Sequence, residues 1–110
     1  MAQFFRAGTT YTLRRKGSRP LEMDLIVSWT DPGRKPGKRV RSYLFSLGKR
    51  QAAKYGMKTK PKLHADRCYP VERQDQKWRC LRLEREKIGW YGTRILWFKL
   101  VNQKRCPNSN

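Results

Sequence analysis

The residues of this chain that are best suited to chemistry are cations with aromatic rings among them. The stretch from Pro32 to Ala65 contains eleven Lys or Arg and no Asp or Glu, and Tyr43, Phe45 and Tyr55 lie between the charges. Lysine and arginine neutralise phosphates, and aromatic rings stack on the flat faces of bases. This combination predicts that the chain binds nucleic acid.

The charge balance of the whole chain favours the same partner. With 27 Lys and Arg against 8 Asp and Glu, the 110 residues carry a formal net charge of +19. Solubility alone needs a net charge of only about 2–8 on a small domain. A polyanion explains the excess, and it would relieve the repulsion among positive charges in the folded state.

Alternation of apolar and polar residues predicts the strands that position the basic stretch. In the clearest strand, five apolar residues from Leu21 to Trp29 alternate with other residues, and this period of two is typical of a β-strand. Its apolar face, including Val27 and Trp29, is expected in the core. The five predicted strands are Thr9–Arg15, Leu21–Thr30, Arg39–Ser46, Lys77–Glu84 and Thr93–Val101.

A short helix is predicted over Leu47–Tyr55, between the third and fourth strands. Ser46 is a suitable N-cap, an alanine pair favours helix, and Gly56 is a suitable stop. Met57–Val71 is predicted to be a connector, because it contains Pro61 and Pro70.

This order of elements, three strands, a helix and two strands, is that of the OB-fold, a Greek-key barrel that binds single strands. The prediction is a mainly β (α+β) fold, a five-stranded OB-like antiparallel barrel or sheet with one short helix between strands 3 and 4. Residues 1–8 form an N-terminal arm, residues 9–101 a single basic nucleic-acid-binding domain, and residues 102–110 a polar C-terminal tail. The segment Tyr11–Tyr55, with its GKRVR strand before a short helix, also resembles the arm-binding domains of phage-type integrases, which implies DNA binding.

The candidate nucleic-acid-binding residues are cations that would meet phosphates and rings that would stack on bases. Two of the rings have an equal alternative in packing, since Tyr43 could face the core and Trp90 could cover the sheet end. Trp29, Trp97 and Phe98, which lie in apolar strands, are expected in the core. The candidates are Arg34, Lys35, Lys38, Arg39, Arg41, Tyr43, Lys49, Arg50, Lys54, Lys58, Trp90 and Tyr91.

Metal and cofactor chemistry has little support in the sequence. His64, Cys68, Cys80 and Cys106 have the residue types of a Cys3His zinc site, but they lack the paired CxxC spacing of such sites. The sequence favours reduced, unlinked thiols, with no metal or cofactor. A two-metal nuclease would need several convergent carboxylates, which this chain of eight acids does not suggest.

The favoured function is sequence-tolerant binding of single-stranded nucleic acid, DNA rather than RNA, by phosphate neutralisation and base stacking, as in replication. The chain is not expected to be an enzyme. One alternative is a small basic toxin-type endoribonuclease, in which His64, Tyr91 or a lysine would supply acid–base catalysis. Another is an architectural protein that recognises duplex or ribosomal RNA by shape and charge.

The sequence also suggests a compartment and partners. No apolar run reaches the ~18 residues of a membrane span, and the first residues lack the pattern of a secretory signal. We therefore expect a cytoplasmic protein without a membrane partner. Single-stranded DNA or RNA is the expected partner, and an exposed strand edge would permit a homodimer.

Overall fold

The structure is a computed structural model that describes residues 4–15, 17, 20–32, 37, 39–47, 63–73, 78–88, 93–102 and 106, with the side chains of Pro32 and Arg39 excepted. These ranges contain strands and loops but no helix, which confirms the mainly β class. Six strands are present rather than the five predicted. They are β1 (Thr10–Leu13), β2 (Leu21–Pro32), β3 (Arg39–Leu47), β4 (Cys68–Glu72), β5 (Arg79–Ile88) and β6 (Arg94–Val101).

The six strands close into one antiparallel barrel with the order β1-β2-β3-β6-β5-β4. β1, β2 and β3 are consecutive neighbours, and β4 returns to lie on the other side of β1. This spatial order, 4-1-2-3, defines a Greek key. The prediction of an OB-like antiparallel barrel is confirmed at this level.

The additional strand is β4, which lies in the segment predicted to be a connector. Tyr69 pairs with Leu81 of β5, and Val71 pairs with Leu13 of β1, so β4 closes the barrel. Pro70 made the segment look irregular, since proline offers no N–H to a neighbouring strand. Its carbonyl is nevertheless used, because it accepts a hydrogen bond of 2.9 Å from the Arg14 amide. Strand pairing on both sides overrides the weak local signal.

The predicted helix begins on a residue that belongs to a strand. Leu47 is the last residue of β3; it is fully buried and pairs with Arg94 of β6. The rest of the predicted helix, residues 48–55, lies outside the described residues. In the part of the chain that the structure describes, there is no helix long and apolar enough to cross a membrane.

Large rings fill the interior of the barrel. Phe45 contacts Tyr11 and Phe98 edge-on, with ring centroids 5.7 and 5.5 Å apart. Phe5 covers one end, where its ring lies 4.1 Å from that of Tyr43. The Tyr11 hydroxyl accepts a hydrogen bond from the Arg6 amide (2.6 Å) and donates one to the Phe4 carbonyl (2.7 Å). These bonds hold the N-terminal segment against the barrel.

A β-bulge in β2 reverses which side chains face inward. Leu25 pairs with Phe45, but Val27, two residues later, pairs with the next residue of β3, Leu44. Ile26 is therefore the extra residue, and everything after it changes sides. Val27 is 43% exposed, and Trp29 leaves the core cluster for the outer face. The prediction that Val27 and Trp29 lie in the core is thus wrong.

A second bulge lies in β5. The strands β2, β3, β6 and β5 are neighbours in that order, so the two bulges lie in the outer strands of this four-stranded surface. Leu83 pairs with Phe98, and Arg85 pairs with Trp97, so Glu84 is the extra residue. Unbroken alternation would point Arg85 inward with Leu83. The bulge places Arg85 on the outer face instead, where a charged side chain avoids the cost of burial.

Candidate nucleic-acid interface

A shallow groove of about 140 Å³ lies on the outer face where β2, β3, β6 and β5 adjoin. We call it the indole groove, after the two tryptophans in its walls. Its position follows from the two bulges, which bring residues from both outer strands to the same side of the sheet. It is lined by Trp29, Asp31, Ser42, Glu84, Arg85, Trp97, Phe98 and Lys99.

The strand register explains how the two indoles come together. Trp29 pairs with Ser42 of β3, and Trp97 pairs with Leu44 of the same strand from the opposite side. The two tryptophans therefore stand diagonally across β3. Both tryptophans are half-buried, so part of each indole is accessible to a ligand. The chain around them has a high positive charge.

Hydrogen bonds fix one wall of the indole groove. The Trp29 Nε1–H donates to Asp31 Oδ2 at 2.9 Å, and the Ser42 hydroxyl donates to the same oxygen at 2.7 Å. Asp31 Oδ1 accepts no hydrogen bond from any described residue. The Trp29 indole is thus held in one orientation beside the Asp31 carboxylate, of which only Oδ2 is used by the described residues.

Cations line the opposite wall. The Arg85 guanidinium lies 4.2 Å from the centre of the Trp97 ring, within the range of a cation–π contact. Glu84 engages Arg82 at 2.7 Å and lies 3.9 Å from the Lys99 ammonium. Its hydrogen bond with Arg82 raises the pKa of that guanidinium. Among the described residues, Arg85 has no carboxylate partner, so its charge can meet an anion.

The structure corrects the stacking role predicted for Tyr43. Its side chain is 1% exposed and packs against Phe5 inside the barrel, so its ring is covered and cannot stack on a base. Burial raises the pKa of the Tyr43 hydroxyl, and the nearby Arg41 guanidinium opposes that rise. The alternative, a packing role, fits this position.

Arg41 lies at the base of a two-stranded extension of the barrel. β3 pairs with β6 only as far as Ser42, whereas its pairing with β2 continues to Arg39. Residues 30–32 and 39–41 therefore form a ribbon, which we call the β2–β3 ribbon. A cavity of about 200 Å³ lies beside it, lined in part by the side chains of Thr30 and the exposed Arg41.

The remaining predicted site residues lie outside the described residues, and Arg39 is described for its backbone alone. The strand ends that adjoin them are nevertheless informative. Pro32 and Arg39 pair at one end of the barrel, whereas Leu47, Ile88 and Arg94 adjoin at the other. The candidates outside the description are Arg34, Lys35 and Lys38, joined at the first end, and Lys49, Arg50, Lys54, Lys58, Trp90 and Tyr91, joined at the second.

Charge is distributed unevenly between the described barrel and the rest of the sequence. Twelve of the 27 Lys and Arg have described side chains, against seven of the eight Asp and Glu. Most of the excess positive charge therefore belongs to the sequence between the strands and at the two ends. The described barrel contributes the aromatic walls, and these flanking sequences contribute most of the cations.

Sequence reasoning missed Trp29, Trp97 and Arg85. A signal for Trp97 existed, because strict alternation allows only one of Trp97 and Phe98 to face the core, and Lys99 shares a side with Trp97. Phe98 is the buried one, at 1% exposed. No local signal marks Trp29 or Arg85, since each depends on a bulge that inserts one residue into an ordinary alternating pattern.

None of the three cysteines is in a disulfide, and the Cys80 thiol lies near those of Cys68 and Cys106. Burial, together with the neighbouring Cys106 and Cys68 thiols, raises the pKa of Cys80 far above its ordinary value of 9.0. His64 is exposed, and its amide donates to the Tyr69 hydroxyl at 2.9 Å. Across the described ranges, no three His, Cys, Asp or Glu residues are grouped so that they could hold a metal ion.

The raised pKa of Cys80 predicts a loss of stability in alkali. The unfolded chain releases this proton above about pH 9, whereas the folded chain retains it, so the stabilisation is complete below pH 9 and declines above it. Well above pH 9, where the unfolded thiol is fully ionised, this one group contributes a slope that approaches about −1.4 kcal/mol per pH unit in the free energy of unfolding. Urea unfolding measured from about pH 8 to pH 11 would follow the onset of this slope, and Cys80→Ala should lack its contribution.

Comparison with known proteins identifies no relative. No protein-family model matches the chain, and neither the curated proteins nor the solved structures contain a significant match. Its function must therefore be inferred from the residues and geometry of the chain itself.

Proposed function

We propose that this chain binds single-stranded nucleic acid, DNA in particular, by neutralising phosphates and stacking on bases, and that it does so without catalysing a reaction. The observation that supports this most directly is the indole groove. Two half-buried tryptophans and a stacked arginine share one outer face of a chain with a net charge of +19. A single strand offers both of the features that such a face can bind, namely flat bases and a charged backbone.

The two kinds of contact have different roles in this proposal. Stacking of a base on an indole is worth about 1–3 kcal/mol and tolerates any base, because every base has a π-face. Phosphate neutralisation supplies most of the affinity by counterion release and carries no sequence information. Arg85 and Lys99 flank the indoles, so both kinds of contact are available within the indole groove.

The remaining parts of the proposal concern setting and partners. The partner is single-stranded DNA or RNA, the process is the coating of strands in replication, the compartment is the cytoplasm, and no membrane is involved. A homodimer through a strand edge stays a prediction. The β2–β3 ribbon is the part of β3 where such an edge remains, since β6 does not pair beyond Ser42.

Duplex binding is the second candidate, and the β2–β3 ribbon is the observation that favours it. A two-stranded ribbon fits the major groove of B-DNA, and this one presents the exposed Arg41. The sequence that joins its strands contains Arg34, Lys35 and Lys38. In this case the ribbon would carry the binding, and the indole groove would contribute little.

Fluorescence anisotropy with a labelled single strand, its duplex and the matching RNA would separate these candidates at one fixed salt concentration. The proposal expects tightest binding to single strands, with tryptophan emission quenched on binding. Equal or tighter binding to the duplex, without quenching, would contradict it and favour the ribbon. The integrity of the labelled RNA after incubation tests the enzyme alternative, because a nuclease would cleave it and a binding protein would leave it intact.

Substitution of Trp97 tests the indole groove itself. Trp97→Ala should weaken single-strand binding by about 1–3 kcal/mol, because one stacking surface is lost. Trp78→Ala is a suitable control, since Trp78 is also half-buried but lies before β5 and outside the groove. Equal effects of the two substitutions on affinity would count against the groove as the binding surface.

A further inference from the structure

An acidic side chain lies in the indole groove of this strongly basic chain. Asp31 is one of only eight acids in 110 residues. A carboxylate at the place where a phosphate should bind would repel it, so charge neutralisation does not explain this residue. Its position between Trp29 and Ser42 suggests a contact with a different part of the ligand.

The hydrogen bonds of Asp31 leave one of its oxygens available. Oδ2 accepts from both the Trp29 indole and the Ser42 hydroxyl, which holds the carboxylate plane in place. Oδ1 has no donor among the described residues. Glu84, the other acid of the groove, contacts Arg82 and Lys99 through Oε1, so two cations balance its charge. Asp31 has no cation partner among the described residues, so its Oδ1 is the acceptor of the groove that we assign to a ligand.

We propose that the indole groove is a base pocket, in which Asp31 Oδ1 accepts a hydrogen bond from the exocyclic amino group of a cytosine. This inference rests on the proposed single-strand binding and specifies which base the groove prefers. A carboxylate is an acceptor and cannot donate, so among the pyrimidines it reads cytosine, through the N4 amino group. Uracil and thymine present a carbonyl oxygen at that position, which the carboxylate repels.

The size and walls of the groove agree with a single base as occupant. A volume of about 140 Å³ is of the size of one planar heterocycle. The indoles supply the stacking surface, and Arg85 and Lys99 line the same groove, so cations are present beside that surface for the phosphates of the strand. A cationic ligand fits less well, because the Arg85 guanidinium already lies 4.2 Å from the Trp97 ring and the chain repels further positive charge.

The experiment compares oligo-dC with oligo-dU of equal length, bound to the full chain at one salt concentration. Deoxyuridine is used because it lacks the thymine methyl group, so the comparison isolates the amino group. We expect dC to bind about tenfold more tightly, the size of one hydrogen bond to a charged acceptor. In Asp31→Asn, the amide nitrogen can donate to the uracil carbonyl while the amide oxygen keeps the Trp29 and Ser42 bonds. The preference should then disappear or reverse.

Asp24→Asn is the matched control, since it removes the same charge from β2 at a position where Asp24 bonds only Thr10 among the described contacts. It should tighten binding to dC and dU equally. A further probe, oligo-dC with N4,N4-dimethylcytosine, removes the amino hydrogens without changing the protein, and it should bind like dU.

The outcomes separate the two proposals. Equal binding of dC, dU and the dimethylated strand by the unaltered chain, with affinity that depends on salt, would overturn the base pocket and leave single-strand binding intact. A preference for dC that persists in Asp31→Asn would also overturn the role of Asp31. If none of the strands binds, the proposed function fails together with this inference.

Discussion

Raising the salt concentration from 50 to 200 mM should weaken the binding of a single strand to this chain by ~10³–10⁵-fold, if ~6–10 phosphates are neutralised. The reason is the distribution of charge. The sequence carries 27 Lys and Arg, and the barrel's acids pair with only some of them. Each phosphate neutralised releases counterions, and added salt opposes that release. Anisotropy titrations at four or five salt concentrations would give the slope.

The slope also distinguishes the two contact types of the proposal. Stacking on Trp29 or Trp97 does not release counterions. Trp97→Ala should therefore lower the affinity equally at every salt concentration and leave unchanged the slope of log affinity against log salt concentration. Arg85→Gln should reduce this slope by about the contribution of one phosphate contact. A nearly flat salt response of the unaltered chain would contradict nucleic-acid binding by charge, whatever the affinity.

Truncation of the Glu86 side chain should lower the free energy of unfolding by about 3 kcal/mol. This is the largest effect on stability that we expect from the loss of one exposed carboxylate. The Arg94 guanidinium donates a hydrogen bond to Glu86 Oε2, and the side chain of Arg94, the first residue of β6, is only 6% exposed. The Arg94 Nη1 atom is already buried without a hydrogen-bond partner among the described residues. Glu86→Ala would leave the whole guanidinium as a buried charge without its counterion, and urea unfolding at fixed salt would measure the cost.

An exposed ion pair provides the control for Glu86. Arg14 and Glu72 approach to 2.5 Å, but their side chains are 55% and 31% exposed, so Glu72→Ala should cost no more than about 1 kcal/mol. The double variant Glu86→Leu with Arg94→Met should recover most of the stability, because it removes the buried charge along with its partner. If Glu86→Ala and Glu72→Ala have equal effects, then burial of Arg94 does not govern this contact.

The strands of the barrel could be predicted where their signal is local. β2, β3 and β6 have alternating or continuous apolar residues over at least eight positions, and each was expected within a few residues of its observed bounds. β4 could not be predicted, because a segment of five residues with a central proline has little local preference for a strand. Its pairing with β1 joins residues almost sixty positions apart, and no local pattern encodes such a contact.

The candidate interface was less predictable than the fold. The basic composition indicated a polyanion, but most of the chosen cations lie outside the described residues, and Tyr43 is buried. The tryptophans of the indole groove were assigned to the core because they lie in apolar strands. In physical terms, burial was predicted from hydrophobicity, whereas side-chain direction depends on strand register, which a bulge changes without altering composition.

The bulge at Ile26 has a consequence for how this surface can vary in evolution. Most single substitutions in β2 leave the direction of every other side chain unchanged. Loss of the one codon for Ile26 would remove the bulge and still leave Val27 opposite Leu44 and Trp29 opposite Ser42, so Trp29 and Asp31 would keep the outer face. Loss of the codon for Ser28, with the bulge retained, would instead turn Trp29 and Asp31 toward the interior and abolish the indole groove. The effect of a deletion on the groove therefore depends on whether it falls at the bulge or beyond it.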